Sequence, residues 1–198
     1  FILKALKDAG FEQVPVISFN VVGMEKNPGF KLTISLAEKL IKSMVLADLL
    51  QKMLYKNRAY EKNKGETEKV FNEWMEKAIK LAIKSNAKDF SAGIYQMVED
   101  FEKIEWNANQ EKPKVGIVGE ILIKYHPFGN NYVANLLEKE GAEVVLPDFM
   151  GFVKYVTANG VIANELLKER KIKSVISQTA IKLMNLFEKD AKKALEKS

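Results

Sequence analysis

The sequence predicts a three-layer α/β domain: a small parallel sheet of three or more strands, flanked by helices, with a helical insertion between its first two strands. Three observations predict it. Lys114 to Phe149, KVGIVGEILIKYHPFGNNYVANLLEKEGAEVVLPDF, reads as strand, loop, helix and strand. Val14 to Phe19, VPVISF, is a second β-rich apolar run that ends on Asn20. Between Asn20 and Pro113 only helical periodicity is found, and so long a connection is implausible unless it is helical.

The opening residues, Phe1 to Ala9, carry Ile2, Leu3, Ala5, Leu6 and Ala9 on one helical face and stop at Gly10. No start signal precedes them, so the chain is expected to be excised from something longer. In the insertion, Leu36, Leu40, Met44, Ala47, Leu50 and Leu54 follow the spacing of one buried face, with Ser35 and Glu38 as a capping box. A second helix places Phe71, Trp74, Met75, Ala78 and Ala82 on one side, and a third, Ser91 to Phe101, presents Ile94, Met97, Val98 and Phe101.

The next unit begins with Val115 to Val118, where Gly116 and Gly119 allow close backbone packing. Its helix is expected to start near Asn130 or Asn131 and to stop at Gly141. The following run, Val144 to Leu146, pairs in parallel with the first because the helix supplies the crossover. Beyond Asp148 the chain reads as mixed until a last helix with Ile176, Ala180, Leu183, Phe187 and Ala191 in register. The divisions are therefore 1–20, the end of an α/β unit; 21–112, the insertion; 113–152, the strand-loop-helix-strand unit; and 153–198, a mixed and helical segment. Together they are expected to form one compact domain.

With 198 residues, the chain can bury a sizeable core. It has no cysteine, hence no disulfide and no thiolate for zinc or an iron–sulfur cluster, and its one histidine, His126, leaves little for a metal site. No apolar run approaches a membrane span and nothing reads as a signal peptide, so no membrane and a cytoplasmic setting are expected. The net charge of +5 is spread through alternating Lys and Glu, as in Glu61 to Lys69, a solvated surface rather than a nucleic-acid footprint. No phosphate loop, G-x-G-x-x-G run or serine triad is present.

Open parallel sheets bind ligands beyond the carboxyl ends of their strands, which directs attention to Asn20, Glu120 and Asp148. Glu120 is a candidate general base, a ribose or amide partner, or a ligand-orienting group; otherwise it is a surface carboxylate ending a strand. The loop Tyr125-His126-Pro127-Phe128 can stack on a planar ligand or act as a lid, and equally Phe128 can plug the apolar layer. Arg58, Tyr60 and Glu61 close the long helix. They can bind a carboxylate or phosphate, or simply satisfy carbonyls and a neighbouring lysine. Lys112, Lys114 and Lys124 lie near the same edge and can meet phosphates or solvent.

Three passages, VPVISFN from Val14, LADLLQKMLYKNRAYEKNKGET from Leu46 and VGIVGEILIKYHPFGNNYVANLLEKEGAEVVLPDF from Val115, together resemble the activator-related proteins of the 2-hydroxyacyl-CoA dehydratase system, the CoA-substrate-specific enzyme activases. They cover most of the chain up to about Phe152. The family has a proline before its Tyr-Glu pair, where this chain has Ala59. The resemblance implies a long cytoplasmic polypeptide of an anaerobic bacterium, joining an actin-like ATP-binding activase to a Rossmann-like dehydratase-like region. It implies a [4Fe–4S] cluster and ATP in the parent protein, and none in this segment. An electron delivered at the expense of ATP starts radical dehydration of a 2-hydroxyacyl-CoA or reduction of an aryl-CoA. The segment is then expected to be a non-catalytic part, inactive alone, that offers a cleft to an acyl-CoA or to other domains and subunits. By the same resemblance Gly119-Glu120 and Asn130-Asn131 are ligand-facing, and Arg58, Tyr60 and Glu61 match a second pattern. A self-contained enzyme of small molecules or nucleotides using Glu120, and a scaffold docking a protein through residues 21–112, are the alternatives.

Overall fold

The computed structural model describes residues 2–14, 16, 33–107, 111–167 and 171–197. The chain divides into two compact units, Phe1–Ala37 and Glu38–Ser198. In the first, α1 (Ile2–Asp8) buries no residue, and Gly10 closes it in the left-handed region at φ +80°, with the Phe11 amide donating to the Leu6 carbonyl. The strand expected over Val14 to Phe19 and its terminal Asn20 lie outside the described residues, apart from Val14 and Val16, and neither of these is in a strand.

The long helix α2 (Ile34–Tyr60) starts on Thr33, whose hydroxyl accepts the Leu36 amide at 3.1 Å, so Thr33 and not Ser35 is the cap. Its buried residues centre on Val45, Leu49 and Met53, whereas Ala47 of the expected face is exposed. After it come α3 (Glu66–Lys84) and α4 (Ala87–Glu102). Asn86 caps α4 by accepting the Asp89 amide at 2.9 Å. At the other end of α3, the ammonium of buried Lys42 donates to the Ser85 carbonyl at 2.8 Å and pairs with Glu38 at 2.7 Å.

Then follow β1 (Lys114–Gly116), α5 (Ile121–Tyr125), α6 (Val133–Lys139) and β2 (Glu143–Val145). The two strands pair in parallel, Lys114 opposite Glu143 and Gly116 opposite Val145, with α6 in the crossover. The last pair of helices is α7 (Phe149–Leu167) and α8 (Lys171–Lys197).

The expected α/β class with a Rossmann-like sheet of three or more strands is therefore overturned. Among the described residues, 73 % are helical and the only sheet has two strands. The physical reason lies in burial. A parallel sheet must be covered on both faces, yet β1 is exposed at Lys114 and Gly116. The core is built instead by helix on helix, from α2, α3 and α4 together with Met150 of α7 and Met184, Ala191 and Ala194 of α8. Phe101, Ile94 and Met97 are fully enclosed there. Where α4 crosses α3, a Cβ on Gly93 would lie 2.5 Å from Leu81 Cδ1. Gly93→Ala should change stability by less than about 1 kcal/mol, since a better helix former offsets the turn of one flexible leucine. Gly93→Leu should cost about 2 kcal/mol, measured by thermal melting.

Candidate functional site

The carboxyl end of α2 gathers the most polar chemistry. Arg58 donates from Nε to Glu138 Oε1 at 3.0 Å and pairs through Nη2 with Oε2 at 2.9 Å, a two-pronged contact from α2 to α6. Its Nη1 faces the exposed Glu68 of α3 at 3.3 Å. Burial pushes the Glu138 carboxyl up, and the adjoining guanidinium opposes that rise. Tyr60 donates to Glu143 Oε2 at 2.8 Å and stacks on Trp106 with centroids 5.1 Å apart. Its phenol is pushed up, by burial first and then by the Glu143 carboxylate. Glu61, itself buried, turns onto the start of α3 and accepts the amides of Gly65 at 3.0 Å and Thr67 at 2.9 Å.

These elements enclose a cleft of about 390 Å³ whose lining includes Arg58, Lys64, Lys112, Asn135, Glu138 and Lys139. Four cations thus converge from α2, the α2–α3 turn, the approach to β1 and the end of α6. Glu61 spends its charge on backbone amides, which leaves Glu68 and Glu138 to offset them. Such an arrangement can hold a multiply charged anion.

A second polar centre lies at the middle of α2. The buried Asp48 accepts the amides of Phe149 and Met150, each at 2.9 Å, and so caps α7 from another helix. Burial raises the Asp48 carboxyl, with these two amides acting against it. Beside it Asp148 pairs with Lys52 at 2.8 Å. Tyr125 donates to the Pro147 carbonyl and meets the Phe149 ring edge-on at 5.6 Å. Its phenol is pushed up to about 12 by burial and by Asp48 and Asp148. A largely apolar cleft of about 300 Å³ opens there between Leu50, Leu54, Phe71, Met75, Tyr125 and Phe149.

The structure brings Arg58, Tyr60, Glu61 and Lys112 together at one place, and Tyr125 and Asp148 at another. The remaining candidates hold their own loop. Glu120 caps α5 by accepting the Ile123 amide at 3.1 Å. Gly119 sits at φ +137°, a turn that a side chain would strain. His126 Nδ1 accepts the Gly129 amide at 3.0 Å, and Phe128 is 75 % exposed, so it plugs no apolar layer. Asn130 donates to the Ile123 carbonyl and accepts the Val133 amide, and Asn131 lies in the left-handed region, so α6 begins at Val133 rather than at either asparagine. Lys114 pairs with Glu143 at 3.6 Å, and Lys124 lies over the Tyr125 ring. Asn20 lies outside the described residues.

Sequence reasoning missed Glu138, Lys64, Lys139 and Asp48. Of these Asp48 had a signal, a lone carboxylate within the apolar run MVLADLL. Among the described residues, no group of acidic or imidazole side chains could hold a metal, and no helix is long and apolar enough to cross a membrane. With no cysteine in the chain, a [4Fe–4S] cluster does not fit the residues present. No protein-family model, curated protein or solved structure matches this chain, so each role assigned to these side chains rests on their geometry.

Proposed function

We propose that this chain is a non-catalytic, ligand-holding portion of a dehydratase-like protein of the CoA-substrate-specific activase type. In this reading the cleft at the end of α2 receives the phosphate-bearing end of an acyl-CoA. One observation supports it above the others: Arg58, Lys64, Lys112 and Lys139 converge on a single cleft of about 390 Å³. The motifs that resemble the family run through two of its walls, at Arg58 and in the α6 unit.

The chemistry is electrostatic. Glu138 fixes the Arg58 guanidinium from one side, which leaves Nη1 aimed at Glu68, a weaker and exposed partner. A phosphate oxygen can take the place of Glu68 there, and the three lysines add attraction at longer range. The carboxylates Glu61, Glu120 and Asp48 are engaged with backbone amides, which favours binding over acid–base chemistry in this segment. The electron, the iron–sulfur cluster and ATP belong to other domains or subunits of the system, in a cytoplasmic setting.

Titration calorimetry of coenzyme A into the purified chain tests this. We expect micromolar binding that weakens as salt rises, and a loss of about tenfold or more in the double variant Lys112→Ala, Lys139→Ala. Equal affinity in that variant, or no heat at about millimolar coenzyme A, would remove the cleft from the proposal.

A further inference from the structure

α8 is apolar on two sides. One side packs into the core through Met184, Ala191 and Ala194, and its buried Glu188 pairs with Lys154 of α7 at 2.6 Å. An adjacent side, toward the amino-terminal part of the helix, carries Ile172, Val175, Ile176, Leu183 and Leu186, each between 43 % and 72 % exposed. At 100° per residue these five and Thr179 fall within a stripe about 100° wide. Ile172, Ile176, Thr179, Leu183 and Leu186 follow one another at alternating steps of four and three, the spacing of a coiled-coil seam. Single exposed apolar residues are ordinary, but a heptad-spaced row of them on a helix whose other face is already packed is not.

The two margins of this seam differ. Ala180 and Phe187 border one side and are packed against the core, where Phe187 meets Phe90 of α4 with centroids 6.0 Å apart. Lys182 and Lys189, one heptad apart, border the other. Both are exposed and have no ion pair among the described residues. An incoming helix would therefore meet apolar surface along its centre and positive charge along one flank.

We infer that the outer face of α8 is a docking seam for an amphipathic helix of another protein segment, one with an apolar heptad face and acidic residues along its flank. A second copy of α8 is a poor occupant. Antiparallel pairing sets the lysine margin against itself, and parallel pairing sets it against the copy's apolar margin, so neither forms an ion pair. An acidic flank satisfies both lysines and selects against basic helices. The seam lies on α8, which contributes nothing to the lining of the cation-lined cleft, so the two proposals stand or fall separately.

Fluorescence anisotropy with synthetic helical peptides tests the seam. The probe is a labelled peptide of about three heptads, with Leu at the seam positions and Glu on both flanks so that it does not pair with itself. The control replaces every flanking Glu with Lys. The Glu-flanked peptide should bind the intact chain with micromolar affinity, and the Lys-flanked one at least about tenfold more weakly. Leu183→Asp should abolish binding with an unchanged circular dichroism spectrum. The surface variant Lys182→Glu, Lys189→Glu should reverse the order of the two peptides. Equal affinity for both peptides, an order that the charge swap leaves unreversed, or no binding of the Glu-flanked peptide at about 100 μM would overturn the proposal. So would a wild-type dimer in sedimentation that Leu183→Asp dissolves, because the seam would then be filled by a second copy.

Discussion

Asp48→Ala should destabilise the protein by about 3–4 kcal/mol, because it leaves the buried amide of Met150 and the part-buried amide of Phe149 at the start of α7 without acceptors and withdraws a charge from a helix amino terminus. The carboxylate is on α2 and the amides belong to residues 149 and 150, each 2.9 Å away, so the contact joins two helices about a hundred residues apart in the chain. Water cannot easily replace it, since Met150 is 1 % exposed. A loss of this size moves the melting temperature of a chain this long by roughly 8–14 °C. Asp48→Asn keeps one acceptor and turns an amide donor toward the other N–H, so about half the loss is expected.

The pH dependence follows from the direction of the Asp48 shift. Burial raises this carboxyl above its ordinary value of 3.8, so the folded chain binds the proton more tightly than the unfolded one. The contribution of Asp48 therefore grows as pH falls through the raised value toward 3.8, against the usual course of acid unfolding. Urea unfolding of wild type, Asp48→Asn and Asp48→Ala at several pH values measures all of this. If Asp48→Ala unfolds within about 0.5 kcal/mol of wild type at neutral pH, α7 is not seated on Asp48.

How much of this was legible depended on how each element is covered. α4 packs on one side only, so its spacing identifies Ile94, Met97, Val98 and Phe101, all of them buried. α2 is covered on several sides, and a single apolar row then selects an edge: Leu36, Leu40, Met44 and Leu54 are half-buried, whereas Val45, Leu49 and Met53 are enclosed. In α8 the expected row divides: Ala180, Phe187 and Ala191 pack on the core, whereas Ile176 and Leu183 are exposed. Gly151, Thr157, Asn159 and Gly160 obscure α7, since each is a weak helix former and the helix is held by Asp48 and by α8 instead. The parallel pair was readable from its crossover, but the size of the sheet was not. A short apolar run becomes a layer only if other elements cover both its faces, and here the helices cover one another. At the cleft, Arg58, Tyr60 and Glu61 stood out as a group. Their partners Glu138 and Glu143 lie some eighty residues away, and only the fold supplies that pairing.

Glu61→Ala should cost about 2–3 kcal/mol and also weaken the cleft. The carboxylate is 3 % exposed and accepts the amides of Gly65 and Thr67, which the Gly65 turn at φ +90° directs toward it without help from a side chain of its own. Burial pushes the Glu61 carboxyl up, but these amides and Lys64 outweigh it and hold it below its ordinary value of 4.5. The sign is then opposite to that of Asp48. The stabilisation is complete above 4.5 and is lost as pH falls through the depressed folded value. Glu61→Gln keeps one acceptor and cannot ionise, so at about pH 7 it should be less stable than wild type by about 1–2 kcal/mol, a gap that narrows as pH falls below the ordinary value of 4.5. A gap that stays constant over this range would mean that the ionised carboxylate is not what anchors α3. The same anchor sets Lys64 and Glu68 along the cleft wall. Glu61→Ala should therefore weaken coenzyme A binding even in conditions where the chain remains folded, whereas Glu120→Gln, at a cap outside the cleft, should leave that affinity unchanged.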